Sequence, residues 1–338
     1  MISCSAFQSN GVGLDEKKIE VQTSSGVVSN DLGSLDLGFV SWQDIPFAQP
    51  PVGDLRWRAP RPLDSPSQII SPKDDTACVQ KASVYAGATG EGIVGSEDCL
   101  YLDITAPIDF KDKSYPVMFW IHGGGNTSGL KDYYDYSKLV STRDVVVVRT
   151  NYRLGALGWF THPSIQGEQE GIDKTSNFGT LDIIQSLKWV QTNISGFGGD
   201  PRNVTIFGES AGGHNVFALL ASPMADGLFH KAISQSGYTS SYSLEDAVNE
   251  NGTNRLIERG SSQIIDREFG SGVDRDLLRS ELKEMDARAF IGLYYQEEGI
   301  DSIPLTTRDD IVIPKICLLE ALSRPEYAKN IPVMAGAN

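Results

Sequence analysis

One serine lies between glycines with the spacing of a nucleophile on a tight turn, in the segment GESAG at residues 208–212. Residues 203–207 before it predict a strand, and residues 211–221 after it predict a helix of small side chains. A sharp turn between them would leave the Ser210 hydroxyl exposed at the helix N-terminus, where the dipole favours a developing negative charge. The pattern predicts nucleophilic catalysis by Ser210. The alternative is a Gly-rich turn with an N-cap serine.

A second Gly-rich segment, WIHGGG at residues 120–125, ends another predicted strand. Three consecutive glycines leave main-chain N–H groups unshielded, which is what an acyl-transfer enzyme needs to hold the oxyanion of its tetrahedral intermediate. The N–H of Ala211, the residue after the serine, would add another donor. The alternative is a phosphate-binding loop. It is disfavoured because no Lys-Ser/Thr follows and the G-x-G-x-x-G spacing is absent.

The elements that must position these residues predict an α/β fold. Strands and helices alternate in the second half of the sequence, which favours a mostly parallel sheet with helices on both faces. Residues 19–28 and 39–47 are rich in β-formers and broken by turn residues, so we expect antiparallel hairpin strands there. Residues 240–330 are more charged and helical. They are interpreted as an insertion over the sheet edge, within a single domain covering residues 1–338.

Composition excludes several classes of partner. Among 338 residues, 29 Lys and Arg stand against 44 Asp and Glu, giving a net charge of −15. Nucleic acid and anionic membrane surfaces are therefore not expected partners, since both require basic residues. No apolar run approaches the ~18 residues of a membrane span. The four cysteines are too few and scattered for a disulfide scaffold or zinc site. From spacing alone, Cys78 and Cys99 are either bridged or two reduced thiols.

Several stretches together resemble the type-B carboxylesterase family, the α/β-hydrolases that include the cholinesterases. The similarity covers most of residues 35–240, with a weaker match at residues 304–338. The segments that carry it are IPFA at 45–48, SEDCLYL at 96–102, WIHGGG at 120–125, NYRLG at 151–155, residues 197–213 and SQSG at 234–237. This resemblance implies the α/β-hydrolase fold and a serine esterase that acts on small-molecule carboxylic esters without a metal or cofactor.

The resemblance also implies roles for individual residues. These are Ser210 as nucleophile, Gly124, Gly125 and Ala211 as oxyanion hole, Glu209 as an acidic group lining the gorge, Ser236 as a buried supporting hydroxyl, and Cys78–Cys99 as a disulfide. The alternative function is a non-catalytic, cholinesterase-like binding or adhesion protein. Such relatives typically lose the nucleophile, so the presence of Ser210 argues against it.

The expected catalytic base is missing among the histidines. In α/β-hydrolases the acid and then the histidine follow the serine along the chain, and no histidine follows His230. His122 belongs to the glycine segment, His214 lies one turn beyond the serine, and His162 and His230 have no catalytic context. Residues 331–338 resemble the strand that leads to the family's catalytic glutamate. We therefore expect the N-terminal portion of a longer esterase, nearly inactive alone because loss of the histidine costs up to ~10⁶ in kcat.

Three further expectations concern departures from the family pattern and localisation. Asn126 stands where the family usually has an aromatic residue after the glycines, so the sequence does not define the wall of the acyl pocket. The segment between the cysteines contains Tyr85 but no tryptophan, so cation–π recognition of choline is not expected. Residues 1–5 (MISCS) resemble the tail of a lipoprotein cleavage box. Localisation is expected to be secreted, periplasmic or lipoprotein-anchored if the N-terminus is incomplete, and cytoplasmic otherwise.

Overall fold

The computed structural model describes residues 18–30, 37–250, 260–295 and 306–337, so the MISCS segment lies outside the described residues. The described strands are β1 (Glu20–Thr23), β2 (Gly26–Ser29), β3 (Phe39–Pro46), β4 (Ile69–Ile70), β5 (Gln80–Ser83), β6 (Ala88–Val94), β7 (Tyr101–Pro107), β8 (Tyr115–Ile121), β9 (Val146–Thr150), β10 (Gly199–Glu209), β11 (Lys231–Gln235), β12 (Tyr242–Ser243), β13 (Thr307–Arg308) and β14 (Val333–Gly336).

The described α-helices are α1 (Ser137–Thr142), α2 (Gly155–Gly158), α3 (Pro163–Gln166), α4 (Phe178–Asn193), α5 (Ala211–Ala221), α6 (Leu244–Val248), α7 (Ser261–Phe269), α8 (Arg275–Glu284), α9 (Ala287–Gly292) and α10 (Leu318–Ser323). None of these helices combines the length and the apolar character that a bilayer crossing requires.

Seven strands form one mixed sheet in the order β14-β11-β10-β8-β9-β7-β3. The five strands from β14 to β9 are parallel, while β7 is antiparallel to β9 and β3 is antiparallel to β7. Strands β7 and β9 are buried along their whole length, as expected for a sheet covered on both faces. The prediction of a mostly parallel, helix-covered α/β sheet is confirmed.

The carboxyl ends of the central parallel strands lie together at one edge of the sheet. Gly208 near the end of β10 pairs with Ile121 at the end of β8, and Glu209 pairs with Gln235 at the end of β11. Gln235 in turn pairs with Gly336, the last residue of β14. The two Gly-rich segments singled out in the sequence both begin at these strand ends. In open α/β sheets this edge is where ligands bind.

Helix α4 is more buried than its sequence pattern predicts. The sequence indicates one apolar face, whereas twelve of the sixteen helix residues are buried. The polar Asp182 is among them, and it accepts hydrogen bonds from Nε and Nη2 of Arg153, both at 2.8 Å. This paired carboxylate allows a polar residue on the helix to face the interior.

The N-terminal antiparallel hairpin is shorter than expected. Strands β1 and β2 form it by themselves, with β4 added in parallel to β2. Strand β3 does not join the hairpin and instead forms the antiparallel edge of the main sheet. Trp42 on β3 explains this choice, because its fully buried ring packs edge-on against Phe110 and Phe197 in the central core.

The described parts of residues 240–330, namely 240–250, 260–295 and 306–330, contain five short helices, α6 to α10. The sequence predicts a helical stretch over residues 274–290 within this segment. The structure divides it into α8 and α9, because Asp286 caps α9 by accepting hydrogen bonds from Arg288 N and Ala289 N. Apolar side chains of α7 to α9 form a second core with Trp57, Phe160 and other residues outside this segment. The single-domain assignment, with these helices as an insertion over the sheet edge, stays a prediction.

A disulfide closes the loop that contains the β5–β6 hairpin. Cys78 and Cys99 are bonded, with their Cα atoms 5.0 Å apart. Both cysteines are buried, whereas Cys317 is exposed and free. The pairing that the family resemblance implied is confirmed, and the alternative of two reduced thiols is wrong.

Candidate active site

Ser210 is the single residue between strand β10 and helix α5. Its backbone has φ 55° and ψ −118°, a conformation that costs a non-glycine residue about 1–3 kcal/mol. Its N–H donates to Gln235 O at 2.8 Å, and its carbonyl accepts from His214 N at 2.9 Å. The end of β11 and the first turn of α5 therefore hold the strained turn in place.

The Ser210 side chain does not cap the helix that follows it. The serine stands at the N-cap position of α5 but makes no side-chain capping hydrogen bond, and the residue is half-buried at the sheet edge. The alternative interpretation, a serine whose only role is to cap α5, is therefore contradicted. The geometry leaves the hydroxyl available for chemistry.

Two glycines of the motif are required by close contacts between main chains. A Cβ atom on Gly208 would lie 2.5 Å from the main-chain carbon of Gly212. A Cβ atom on Gly212 would lie 2.1 Å from Ile121 O, on the neighbouring strand β8. Strand and helix thus approach so closely that only glycine fits on either side of the serine.

The triple-glycine turn lies directly against Ser210. A Cβ atom on Gly123 would be 3.4 Å from the Ser210 Cβ and 2.7 Å from Glu209 O. The next two residues, Gly124 with φ 99° and Gly125 with φ 65°, have left-handed backbone conformations. Gly123 and Gly208 are 85 residues apart in the sequence, yet the two Gly-rich segments are in contact in the fold.

This turn presents main-chain N–H groups that are not engaged by the part of the protein that the structure describes. Within the described ranges, the N–H groups of Gly124 and Gly125 donate no hydrogen bond, while the Gly124 carbonyl accepts from Thr127 N and Ser128 N. Ala211 is the first residue of α5, so its N–H has no acceptor within the helix. Such amides are suited to bind an oxygen anion.

Two depressions lie beside the Ser210 turn, and both are lined by Glu209, the residue before the serine, but not by Ser210 itself. A cleft of about 490 Å³ lies over the ends of β10, β11 and β14, and its lining includes Glu209, Gln235 and Ser236. A smaller cleft of about 80 Å³ is lined by Gly123 and Gly124 on one side and by Tyr85 and other tyrosines on the other. The exposed Glu209 carboxylate borders both clefts, which agrees with the expected acidic group beside the nucleophile.

Ser236 is less buried than expected. It is half-buried, it has φ 50°, and its N–H donates to Gly336 O at 2.6 Å. The buried hydroxyl of this strand belongs to Ser234, which is 1% exposed and donates to Gly213 O on α5. The expectation that Ser236 is a buried hydroxyl is corrected, because its turn places it on the cleft wall.

None of the four histidine rings is hydrogen-bonded to the Ser210 side chain. His122 Nδ1 donates to Gly123 O at 2.9 Å, and His214 lies between Tyr238 O and Thr306 Oγ1. His162 Nδ1 bonds to Ser164, and His230 Nδ1 accepts from Val204 N. The sequence-based prediction that no histidine of this chain is placed as the base agrees with this geometry.

The histidines nearest to the site are held neutral. Complete burial lowers the pKa of both His122 and His214 to about 4, against a smaller opposing effect of their main-chain hydrogen bonds. These rings are therefore unprotonated and carry no net positive charge near neutral pH. Within the described residues, no group of three His, Cys, Asp or Glu side chains is arranged to hold a metal ion.

Asn126 does not form the wall of either cleft. It follows the glycines with φ 58°, and its side chain is fully buried in contact with Tyr152 and Asn215. The structure thus excludes Asn126 from the walls of these two clefts, and it does not assign an acyl-pocket wall. Asn215 was not singled out in the sequence, since a buried amide on a helix of small residues carries no sequence signal of its own.

The family model described as the carboxylesterase family matches residues 17–282. The chain belongs to this family. Among its relatives, para-nitrobenzyl esterase of Bacillus subtilis (strain 168) is 45% identical over 222 residues, which are 64% of this chain and 44% of that protein. Liver carboxylesterase 1 of Oryctolagus cuniculus is 34% identical over 339 residues, covering 94% of this chain and 58% of that protein. The chain spans about half the length of these relatives.

Solved carboxylesterase structures share the fold described above. A structure titled PNB esterase superimposes with a TM-score of 0.78 at 32% identity, covering 94% of this chain and 63% of that chain. A second, titled thermophylic PNB esterase, gives a TM-score of 0.79 over the same shares. The expected α/β-hydrolase fold of this chain is thereby confirmed.

Proposed function

We propose that this carboxylesterase hydrolyses small-molecule carboxylic esters through an acyl-enzyme on Ser210. The observation that carries the proposal is the contact between the strained Ser210 turn and the triple-glycine turn, where Gly123 packs against the serine. A nucleophile and a group of unpaired N–H donors are thus adjacent, as ester hydrolysis requires.

The proposed mechanism uses main-chain donors to stabilise negative charge. Ser210 Oγ attacks the ester carbonyl carbon, and the carbonyl oxygen becomes an oxyanion. The N–H groups of Gly124, Gly125 and Ala211 donate to this oxyanion, and the dipole of α5 adds to the stabilisation. The intermediate then expels the alcohol, and water hydrolyses the acyl-serine to release the acid. Glu209 gives the mouth of the cleft a negative charge, and Ser236 contributes a hydroxyl to its wall.

The mechanism needs a base that the chain's histidines do not supply. All four histidine rings are engaged away from Ser210, two of them completely buried. The proposal therefore assigns the proton-accepting role to a group other than these histidines. Without such a base, the loss in kcat reaches ~10⁶, and the oxyanion hole retains a smaller part of the catalysis.

Exogenous imidazole tests this assignment on the chain itself. Hydrolysis of p-nitrophenyl acetate would be measured with increasing imidazole for the purified protein and for Ser210→Ala. We expect a saturable, imidazole-dependent rate above the solution background, and its complete loss in Ser210→Ala. Equal rates for the two proteins at every imidazole concentration, together with no acylation of Ser210 detected by mass spectrometry, would contradict the proposal.

The non-catalytic binding or adhesion alternative is not favoured. The similar proteins carry esterase names, and the donors and serine described above are all present.

A further inference from the structure

Asn126, directly after the glycine turn, is constrained in both its backbone and its side chain. Its backbone is left-handed, with φ 58°, and its side chain has no exposed surface. Its carbonyl accepts a hydrogen bond of 2.7 Å from Gly155 N, which fixes the main chain where it leaves the turn. A buried amide must find partners for both its oxygen and its nitrogen, or its desolvation is not compensated.

Those partners lie on the helix that begins at the nucleophile. Asn215 belongs to α5 and stands five residues after Ser210. Its Nδ2 donates to Asn126 Oδ1 at 2.8 Å, and Asn126 Nδ2 points back at Asn215 Oδ1 at 3.4 Å. The two amides thus form a reciprocal pair, and both are fully buried. This pair joins the glycine turn to the helix directly, by side chains alone.

Tyr152 and His122 complete the attachment on the other side of the turn. The Tyr152 hydroxyl donates to His122 O at 2.7 Å and lies 3.2 Å from Asn126 Oδ1. The His122 ring stacks on Tyr152, and its Nδ1 donates to Gly123 O at 2.9 Å. In a trans peptide the carbonyl and the following N–H point in opposite directions. Fixing Gly123 O therefore also directs the Gly124 N–H.

We propose that the reciprocal Asn126–Asn215 amide pair positions the oxyanion-hole N–H groups relative to Ser210. Successive left-handed glycines have many accessible conformations, so a turn of this kind needs outside restraint to keep its donors in place. The pair supplies that restraint from the same helix that fixes the serine. Asn126 and Asn215 are positioning residues, because they act through the main chain and do not contact the reacting atoms. The catalytic part of this inference rests on the proposed esterase function.

The test uses Asn126→Ala, Asn215→Ala and the double variant. The matched control is Asn193→Ala, which removes a buried asparagine at the end of α4 that bonds to Ser24 and Trp189 instead. Amide hydrogen exchange of residues 122–129 and the kinetics of imidazole-supported p-nitrophenyl acetate hydrolysis would be measured for each. Thermal melting would report any general loss of stability.

A positioning pair predicts coupled effects at the glycine turn. We expect each single variant to accelerate exchange at residues 122–129 and to lower kcat by about tenfold or more at similar KM, since a misplacement of ~1 Å can cost up to ~10²-fold in rate. The double variant should show the same exchange rates at residues 122–129 and the same kcat as either single variant. Asn193→Ala should leave both readouts unchanged even if it lowers the melting temperature.

Two results would overturn the inference, and neither depends on turnover alone. Unchanged exchange at residues 122–129 in both single variants would show that the pair does not restrain the turn. Additive effects in the double variant would show that the two amides act independently. If the unmodified protein has no Ser210-dependent hydrolysis, the proposed function fails. In that case exchange alone still decides whether Asn126 and Asn215 hold the turn.

Discussion

The glycines of the triple-glycine turn differ in the space around them, and Gly124 is the most restricted of the three. Its φ is 99°, and a Cβ atom there would lie 2.1 Å from Ser128 O. Gly124→Ala must therefore move the turn that carries the proposed oxyanion donors. We expect imidazole-supported kcat to fall by ~10²-fold or more, the cost of losing one oxyanion donor. Steady-state kinetics with p-nitrophenyl acetate checks this.

Gly171→Ala is the matched control for that substitution. Gly171 also has a left-handed backbone, with φ 55°, but a Cβ atom there meets nothing within 4 Å. Its replacement should cost about 1–2 kcal/mol of stability from backbone strain and leave kcat unchanged. Equal kcat in the Gly124 and Gly171 variants would argue against a catalytic role for the glycine turn.

At this scale the sequence predicts local geometry well and side-chain environment poorly. The Ser210 turn follows from its own neighbours, because a strand, a G-x-S-x-G segment and a small-residue helix are all local signals. Asn126 could not be interpreted in the same way. Its side chain faces inward because Asn215, 89 residues away, offers a reciprocal amide, and no local pattern reports such a partner.

At the scale of elements, the disulfide holds the β5–β6 hairpin to the start of β7. It closes a loop with a sequence separation of 21 residues. By loop-closure entropy, its removal should cost roughly 3 kcal/mol. The paired variant Cys78→Ala/Cys99→Ala should therefore unfold at lower denaturant concentration than the unmodified protein.

The exposed Cys317 provides the control, since Cys317→Ser removes a thiol that is not in the disulfide. Its unfolding midpoint should match that of the unmodified protein. Identical midpoints for all three proteins under non-reducing conditions would mean that the loop contributes nothing to stability.

The anchoring of helix α4 is a second test at this scale. Asp182 on the helix and Arg153, after β9, form an ion pair of 2.8 Å with side chains at most 3% exposed. Asp182→Ala leaves a buried guanidinium without its partner. We expect this change to lower the free energy of unfolding by about 4 kcal/mol. Urea unfolding measures the loss. Arg153→Leu/Asp182→Leu should be more stable than Asp182→Ala, and the reverse order would exclude an electrostatic cause.

Element boundaries were easier to predict than element partners. Apolar runs predict strands at residues 115–122 and 231–236, and residue patterns predict helices at 180–194 and 211–221. The structure places β8, β11, α4 and α5 within a few residues of these ranges. The partner of β3 did not follow, because pairing with β7 is decided by where Trp42 finds a buried site. Pairing is a non-local choice that the strand's own residues do not specify.

At the scale of the whole molecule, the fold keeps several histidines uncharged. Burial lowers the pKa of His122, His162 and His214 to about 4 each. In the unfolded chain the same rings titrate near 6.5. The sequence could not predict this, since the burial of His214 depends on partners as distant as Thr306.

The sign of the resulting pH dependence follows from proton binding. Between pH 6.5 and pH 4 the unfolded chain binds protons at these histidines and the folded protein does not. The free energy of unfolding therefore falls as the pH falls through this window, and the contribution levels off below about pH 4. The stabilisation is fully present above pH 6.5. For each histidine the loss at pH 5 is about 2 kcal/mol.

His214→Gln isolates one of these contributions, because glutamine keeps hydrogen-bonding atoms near Tyr238 O and Thr306 but does not titrate. Urea unfolding at pH 7.5 and pH 5.0 should show that the variant loses about 2 kcal/mol less than the unmodified protein over this interval. Carboxylates that titrate in the same pH range contribute equally to the stability change of the variant and of the unmodified protein, so they do not affect the difference. Asn193→Ala, which removes no titratable group, should lose as much free energy of unfolding between pH 7.5 and pH 5.0 as the unmodified protein. If His214→Gln shows the same loss as the unmodified protein, His214 is protonated in the folded protein at pH 5, and burial does not exclude its charge.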